Sequence, residues 1–457
     1  MPLIFTPMKK SFCTTLLFIC SSFVLFSQGW DWTKTAGGPL FDEVTGVASD
    51  RSGNVFITGY FDSIITFDST RLYSAGGTDV YIAKYDPDGI LLWAKQIGGR
   101  NDDYSSGIST DITGNCYITG YFYIQGTTNS FGSTSMTEAG DADMFISKFS
   151  ADGNLIWVRN GGGRGQDASF GIATDANGNS YICGYFTGTA VFGNFKVTSA
   201  GYSDIFVSKY DAGGNLIWIK TCGGAYQDEA YAIATDIAGN CYVTGYFTGN
   251  VNFGGTNLTS AGFFDTDVFF LKFNPSGNLT MAKRAGGNGN DIGYGIDVDK
   301  KGNIFIAGIF HGENFLENTI RQKSNESNGF LAKFEGSGKL SWSKTISGNS
   351  SSELRKIHTD AAGNSFVTGI IKGNVQLGSL SLTSAGGKDG ILAKYDSDGN
   401  LAWANLIGGV EEDEGISLFV NPAGICYTAG QYTGEVTIAK SRFSGWGGLD
   451  IFLSRIK

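Results

Sequence analysis

Three polar side chains interrupt a segment that elsewhere in the chain carries small residues. Asp297, Lys356 and His358 stand where equivalent segments carry Gly, Ala or Ser, as at Gly171 and Ala173. A carboxylate, an amine and an imidazole are groups that acid–base catalysis uses and that bind small polar ligands. If these segments converge, the three residues line one side of a central channel. The alternative, which the repetitive sequence favours, is a local ion pair within a degenerate copy of a repeat.

The remaining sequence offers little for catalysis or for metal binding. His311 and His358 are the only histidines, and they occupy different positions in different copies of the repeat. This excludes a His-rich metal centre and disfavours a Ser-His-Asp triad. Aspartates recur in Gly-Gly-x4-Asp loops, where a ring of carboxylates would suit a hard cation. A residue found in almost every copy is better explained as a cap of local backbone N–H groups. We therefore predict no catalytic residue, no metal and no cofactor.

A second set of candidate residues consists of aromatic side chains in the segments whose length varies between copies. They are Tyr121, Tyr123, Phe263, Phe264 and Trp446. Aromatic faces stack well on sugar rings and on peptide side chains. Neither Tyr123 nor Phe264 stands at a repeated core position, and all five residues are predicted to bind a ligand. The alternative is that they only cover the tops of the repeats.

One strand-like segment recurs seven times and organises the chain. It reads Gly-Asn-Ser-Tyr-Ile-Cys-Gly-Tyr-Phe from Gly178, and an Asp (Asn in the last copy) precedes each copy by three residues. Successive copies are 61 to 64 residues apart. A period of this size from end to end indicates a repeat architecture rather than several unrelated domains. The copies begin at Gly53, Gly114, Gly178, Gly239, Gly302, Gly363 and Gly424.

Each period holds four strand-like segments, which we call strands a to d. Strand a precedes the turn Asp, strand b is the recurring segment, strand c has the pattern Asp-x-Phe-x-x-Lys, and strand d has the pattern Asn-Leu-x-Trp. Short Asp/Gly turns join a to b and c to d, as between antiparallel neighbours. The pattern predicts an all-β fold, a single seven-bladed β-propeller with four antiparallel strands per blade. The last copy ends on strand c, so Gly29–Lys34 is predicted to supply its strand d and to close the ring.

The N-terminus and the composition limit where the protein acts. Lys9 and Lys10 precede an apolar run over residues 11–26, which predicts a secretory signal over residues 1–27 and a propeller domain over residues 28–457. We therefore expect a secreted, periplasmic or cell-surface protein with no membrane span, and a monomer. The net charge of −10 disfavours nucleic acid and anionic lipid as partners.

The cysteines outside the signal segment are not expected to form a disulfide framework. Cys116, Cys241 and Cys426 occupy the same position in copies that are not neighbours. Equivalent positions in such copies lie beyond the ~7 Å between Cα atoms that a disulfide can bridge. They are predicted to be small buried strand residues.

The strand b motif, the hairpin Asp-x-Phe-x-x-Lys-Tyr-Asp-x-x-Gly-Asn-Leu-x-Trp and the Gly-Gly pair after it resemble the bacterial β-propeller repeats called SBBP. The resemblance covers essentially all of residues 28–457. It implies a secreted or surface-exposed propeller and supplies no catalytic residue.

Three functions remain open from the sequence. The leading hypothesis is a non-enzymatic module that binds an extracellular carbohydrate, peptide or protein through the face formed by the b–c and d–a loops, because loop variation on a rigid scaffold carries specificity. The alternative is an extracellular hydrolase or lyase with a polar site at the channel mouth, built from Asp297, Lys356, His358 and the acidic run Glu411–Glu414. The third is a structural protein of the cell envelope.

Overall fold

A computed structural model describes residues 29–123, 129–131, 134–136, 140–262, 264–312, 316 and 326–457. The predicted signal segment, residues 1–27, and Phe263 lie outside the described residues. In the part of the chain that is described, no helix is long and apolar enough to cross a bilayer.

The described chain is built from β-strands rich in Val, Ile, Phe, Tyr and Thr, the residues that suit a pleated surface. The strands of the first half are β1 (Trp30–Gly37), β2 (Asp42–Ser49), β3 (Val55–Phe67), β4 (Thr70–Tyr85), β5 (Leu91–Ile97), β6 (Asp103–Thr110), β7 (Cys116–Phe122), β8 (Asn129–Phe131), β9 (Thr134–Met136), β10 (Asp143–Phe149), β11 (Leu155–Gly163), β12 (Ala168–Thr174), β13 (Ser180–Phe186), β14 (Thr189–Phe192), β15 (Phe195–Thr198), β16 (Asp204–Tyr210) and β17 (Leu216–Gly224). Those of the second half are β18 (Glu229–Thr235), β19 (Cys241–Thr248), β20 (Asn250–Phe253), β21 (Thr256–Thr259), β22 (Thr266–Phe273), β23 (Leu279–Ala285), β24 (Ile292–Val298), β25 (Ile304–Phe310), β26 (Asn328–Phe334), β27 (Leu340–Gly348), β28 (Ser352–Thr359), β29 (Ser365–Leu377), β30 (Leu380–Tyr395), β31 (Leu401–Gly409), β32 (Asp413–Val420), β33 (Cys426–Ile438) and β34 (Ser441–Ile456).

Antiparallel pairing arranges these strands in four-stranded units that follow the predicted order a to d. Units 1 to 6 are β2-β3-β4-β5, β6-β7-β10-β11, β12-β13-β16-β17, β18-β19-β22-β23, β24-β25-β26-β27 and β28-β29-β30-β31. Unit 7 is β32-β33-β34-β1, in which Trp32 pairs with Arg455, so the N-terminal strand supplies strand d as expected. The architecture is therefore all-β and propeller-like.

The segments between strands b and c were expected to be loops, and this expectation is wrong for most units. They form outer β-hairpins, either as extensions of the long strands in units 1, 6 and 7 or as the separate pairs β8–β9, β14–β15 and β20–β21. In units 1, 3, 4, 6 and 7 the hairpin pairs with the end of strand d of the preceding unit, for example Gly162 with Val191. The physical reason is that an unpaired strand d would expose a sheet edge, which the hairpin covers.

Apolar clusters fill the space between neighbouring units, and the strand d tryptophans connect the units at the outside. The indole Nε1 of Trp157 donates to the carbonyl oxygen of Ala212 in the c–d turn of the next unit, at 3.2 Å. Gly214 in that turn has φ +80, and a Cβ there would lie 2.7 Å from the Trp157 ring. The turn needs Gly both for its left-handed backbone and for this close approach. Cys116, Cys183, Cys222, Cys241 and Cys426 are buried and free.

The Asp that precedes each strand b closes the turn between strands a and b. In unit 3, Asp175 Oδ1 accepts hydrogen bonds from the backbone N–H groups of Asn177 and Asn179, at 2.9 and 3.0 Å. Its Oδ2 accepts one from the Asn179 side chain at 2.7 Å, and Gly178 has φ +75. An Asp that satisfies local backbone donors explains why Asp, Gly and Asn recur together at fixed spacing.

The strands a of successive units lie side by side. They contact one another in the order β2, β6, β12, β18, β24, β28 and β32, and β32 contacts β2. Their small residues allow this close approach: a Cβ on Gly46 would lie 2.9 Å from Ile108 of the next unit. Side chains at either end of these strands therefore come together although they are far apart in sequence.

Candidate functional site

Every strand a contains a β-bulge in its first half, and the bulges position the site. The register against strand b shifts between Val44 and Gly46 in unit 1 and at the equivalent place in the other units. A bulge inserts one extra residue into a strand and changes the direction in which its side chain points. The extra residues are Thr45, Ser106, Phe170, Tyr231, Tyr294, Arg355 and Ile416. They lie on the half of strand a that follows the d–a loop, so they belong to the loop face.

One aromatic cluster forms at this level in units 1 and 2. Tyr104 lies at its centre, with ring centroids 4.9 Å from Tyr60, 5.2 Å from Tyr121 and 6.2 Å from Tyr123. The Tyr104 and Tyr121 rings are stacked, and those of Tyr60 and Tyr123 meet Tyr104 edge to face. All four side chains are half-buried. The structure therefore brings Tyr121 and Tyr123 together, as two members of a larger aromatic cluster.

A second aromatic cluster continues around the axis through units 3 to 5. Tyr231 lies at its centre, 5.2 Å from Phe170, 5.9 Å from Tyr246 and 5.5 Å from Tyr294 between ring centroids. Phe170 also contacts Tyr185 at 5.7 Å. The two clusters are neighbours, because β6 of unit 2 contacts β12 of unit 3. Together they form an arc of aromatic rings, which we call the aromatic arc.

Two carboxylates stand within the aromatic arc and are bonded to it. The hydroxyl of Tyr60 donates to Glu43 Oε2 at 2.6 Å, and that of Tyr231 donates to Glu229 Oε2 at 3.1 Å. Desolvation by burial raises the pKa of both glutamates above its usual value. No basic side chain of the described residues lies within ion-pair distance of Glu43 or Glu229.

At the same level, units 6 and 7 carry an ionic network instead of aromatic rings. The Arg355 guanidinium donates to Glu414 Oε2 at 2.8 Å and lies 3.4 Å from Glu353 Oε2. Glu414 also accepts a hydrogen bond from Gln431 at 3.0 Å and lies 3.8 Å from the Lys388 ammonium. Here the acidic groups have basic partners within the chain. We call the aromatic arc and this network together the loop-face mouth.

Below the mouth lies a central cavity of about 320 Å³, lined by residues from all seven strands a. It extends from the level of Thr45 and Phe170 to the a–b turns. Asp297, Lys356 and His358 all line it, on the half of strand a nearer the a–b turns. They are therefore brought together, but away from the loop face.

The contacts of these three residues correspond to a local network. Asp297 Oδ2 accepts hydrogen bonds from the backbone N–H and the hydroxyl of Thr359, at 2.6 and 2.7 Å, and lies 3.7 Å from His358 Nδ1. The His358 ring packs on Phe419 at 4.6 Å between centroids. Burial lowers the pKa of Lys356, whose ammonium makes no hydrogen bond or ion pair with the described residues. No nucleophile stands beside His358 in the described contacts.

The other predicted aromatic residues lie outside the aromatic arc. The Phe264 side chain is 71% exposed and contacts Tyr226 at 5.8 Å, and Trp446 is 55% exposed on the outer hairpin of unit 7. Glu411 and Glu412 are exposed, Asp413 is buried, and only Glu414 of the acidic run belongs to the loop-face mouth.

The aspartates of the Gly-Gly-x4-Asp loops are caps that lie beside the strand c aspartates. Asp228 Oδ2 accepts a hydrogen bond from the backbone N–H of Gly224 at 2.7 Å, and Oδ1 accepts one from Thr248 at 3.0 Å. The charge of Asp204 acts on Asp228. Among the described residues there is no group of three or more His, Cys, Asp or Glu that could hold a metal ion.

Sequence reasoning missed Tyr60, Tyr104, Phe170, Tyr231 and Tyr294. For Phe170, Tyr231 and Tyr294, the signal that could have found them is the position directly before the first small residue of strand a, where polar and aromatic residues replace a fixed residue type. Tyr60 stands at the recurring Tyr of strand b, and Tyr104 directly follows a loop Asp. The bulges that add Phe170, Tyr231 and Tyr294 to strand a leave no distinct mark in the sequence.

Comparison with known proteins finds a family model that matches two stretches of the repeats. The sequence model of the SBBP β-propeller repeat matches residues 92–121 and 282–308. An uncharacterised WD repeat-containing protein of Acanthamoeba polyphaga mimivirus is 23% identical over 86% of this chain and 35% of its own length. The regulatory protein FlaEY of Caulobacter vibrioides is 25% identical over 60% of this chain and 30% of its own length. This chain thus spans about a third of the curated relatives that it matches.

Two solved structures are similar over nearly the whole chain. They are the Pan2 WD40 domain of Neurospora crassa, with 9% identity and a TM-score of 0.44, and Sqt1 of Chaetomium thermophilum, with 8% identity and a TM-score of 0.45. The first match covers 92% of this chain and 89% of that chain, and the second covers 94% and 99%.

Proposed function

From the premise that this chain carries β-propeller repeats of the SBBP family, we propose that residues 28–457 form a closed, seven-bladed propeller that acts as a non-enzymatic binding module. The pairing of β1 with β34 and the contact of β32 with β2 support the closure. The ligand is an extracellular peptide, protein or carbohydrate, and the protein is exported as a monomer by the signal segment over residues 1–27.

The observation that carries this proposal is the aromatic arc at the loop-face mouth. Half-buried aromatic rings present large, rigid faces and lose little side-chain entropy when a ligand covers them. A fold that needed only to be stable would bury such rings fully, as it does those of Tyr81, Tyr117 and Tyr427. The half-buried rings of the aromatic arc, held on a rigid scaffold, therefore support a binding role.

The central cavity supports an enzyme less well. Asp297 Oδ2 accepts two hydrogen bonds from Thr359, and His358 Nδ1 lies 3.1 Å from the Thr359 carbonyl oxygen. Asp297 Oδ2 and His358 Nδ1 are therefore already engaged within the protein and are not free to act on a substrate. General acid–base catalysis needs a group that is placed against the reacting proton.

The test is to screen purified residues 28–457 on peptide, protein and glycan arrays, beside a panel of hydrolase substrates. A ligand found in this way is titrated against Tyr104→Ala, Tyr123→Ala and Phe264→Ala, with Asp297→Ala and His358→Ala as the matched cavity variants. We expect Tyr104→Ala to weaken binding most, since its ring contacts three others. Binding that survives the loop-face changes and disappears with the cavity changes would overturn the proposal.

A further inference from the structure

We propose that the loop-face mouth recognises a cationic side chain, arginine or lysine, presented by a peptide or a protein. This inference rests on the proposed function and specifies the chemistry of its ligand.

The first argument is the aromatic arc. The face of a phenol or phenyl ring is electrostatically negative and attracts a cation within about 6 Å of its centroid. Tyr104 and Tyr231 are each surrounded by three further rings. The chain uses the same interaction in its core, where the Lys148 ammonium lies 4.8 Å from the Tyr117 centroid.

The second argument is the state of the two carboxylates within the arc. Glu43 and Glu229 are bonded to tyrosine hydroxyls, but no basic group pairs with either of them among the described residues. Burying a carboxylate without a counter-charge costs free energy. The charge of Arg355 acts on Glu43 without forming an ion pair with it, and a guanidinium or ammonium group that enters the arc supplies an ion-pair partner.

The third argument is the contrast between the two halves of the mouth. At the bulge position of unit 6 the chain itself provides a guanidinium, that of Arg355, and it joins Glu353 to Glu414. The equivalent positions of units 4 and 5 hold Tyr231 and Tyr294, so Glu229 has rings around it and no arginine. The aromatic arc therefore resembles the ionic network of units 6 and 7 without its arginine.

Charge complementarity favours a basic peptide over a sugar. The net charge of the whole chain is −10, which attracts cationic partners over a distance. A neutral sugar gains from the ring faces but gives neither carboxylate an ion-pair partner. An anionic glycan meets repulsion.

The probes are two N-acetylated, C-amidated heptapeptides of glycine and serine, one with a central arginine and one with a central citrulline. Citrulline keeps the shape of arginine and lacks its charge. Binding is followed by NMR titration at low ionic strength. We expect the arginine peptide to bind at least about fivefold more tightly than the citrulline peptide, the range expected for a partly desolvated cation–π contact with a counter-charge. Raised salt weakens binding of the arginine peptide only.

Matched variants connect that difference to the mouth. Glu43→Gln and Glu229→Gln keep the hydrogen-bonding shape and remove the charge, and we expect each to reduce the preference for arginine. Glu335→Gln removes an equal charge from an exposed c–d turn and should leave the preference unchanged. Thermal unfolding of each variant shows that the fold is intact.

The outcomes separate the two proposals. Equal affinity for arginine and citrulline peptides, or an arginine preference that survives both glutamine variants, overturns the cation inference. A neutral oligosaccharide could also bind the wild-type chain and fail to bind Tyr104→Ala. That result overturns the cation inference, while the proposed binding function stands. If no peptide, protein or glycan binds the wild-type chain, the proposed function itself fails.

Discussion

The negative charge of the buried Asp450, on β34, acts on the buried carboxyl group of Asp42, on β2. Burial, and next the negative charge of Asp450, raises the pKa of Asp42 to about 8. Other units hold similar pairs: the pKa of Asp291 is raised to about 8 and that of Asp413 to about 7, with burial again the largest cause. In unit 6 the pair is replaced by neutral Asn328 and Ser352.

We predict from these pairs that stability decreases as pH rises. Asp42 ionises near 3.8 when it is exposed and at about 8 in the fold, so its neutral form favours the folded state. This contribution is complete below about pH 4 and is lost as pH rises through about 8. The Tm should therefore fall by several degrees between about pH 5 and about pH 9.

A matched pair of variants tests the cause of this pH dependence. Asp42→Asn should flatten the dependence of Tm on pH, while Asp211→Asn, at an exposed turn, should not. A wild-type Tm that rises over this pH range contradicts the prediction.

The N-terminal strand should contribute strongly to stability. Trp32 packs on Tyr427 at 6.2 Å between ring centroids, and its Nε1 donates to the Pro87 carbonyl oxygen at 3.0 Å. We expect Trp32→Ala to lower the free energy of unfolding by about 2 kcal/mol or more, by loss of packing and of one hydrogen bond. The control Trp446→Ala removes an exposed ring and should cost about 0.5 kcal/mol. Chemical denaturation measures both, and equal losses would refute the role of β1.

The five cysteines should be free and unreactive in the folded state. Burial raises the pKa of Cys116, Cys183 and Cys426 to about 12, so almost no thiolate is present at neutral pH. A thiol reagent added to residues 28–457 without reductant should label almost nothing in the native state. It should label five groups after denaturation. Three labelled groups would show that a disulfide had formed.

Lys356 should destabilise the fold rather than support it. Burial lowers its pKa, and its ammonium has no hydrogen-bonding partner among the described residues. Replacing a poorly compensated buried charge by an apolar group of similar size is often neutral or stabilising. We expect Lys356→Met to keep or raise the Tm, whereas exposed Lys196→Met leaves it unchanged. A clear loss of stability would mean that the ammonium is compensated within the cavity.

Binding of the arginine peptide should strengthen as pH rises. Burial raises the pKa of Glu43, which Tyr60, Glu414, Arg355 and Asp62 face. Below its raised pKa the carboxyl group is neutral and attracts no cation, so affinity is lost on acidification. In Glu43→Gln this dependence should be weaker. An affinity that is independent of pH in both proteins would exclude Glu43 as the counter-charge.

The sequence alone determined the repeat, its four strands per unit and its turns. The reason is that these features depend on local chemistry: the a–b turn needs Asp175 and Gly178, and the c–d turn needs Gly214 against Trp157. The pairing of β1 with β34 also followed from counting strands, since the last copy lacks its strand d. Each of these inferences used spacing within one period.

Only the tertiary structure decided the outer hairpins and the loop-face mouth. The hairpins form because the preceding strand d presents an edge, a relation between units that spacing within one unit does not contain. At the mouth, Tyr60, Tyr104 and Tyr231 come from different units. A bulge in each strand a adds one residue, which is Tyr231 in unit 4, and packing between neighbouring units brings its ring into contact with Phe170 and Tyr294. Neither the bulge nor the packing can be read from the spacing within one period, so both were decided only by the tertiary structure.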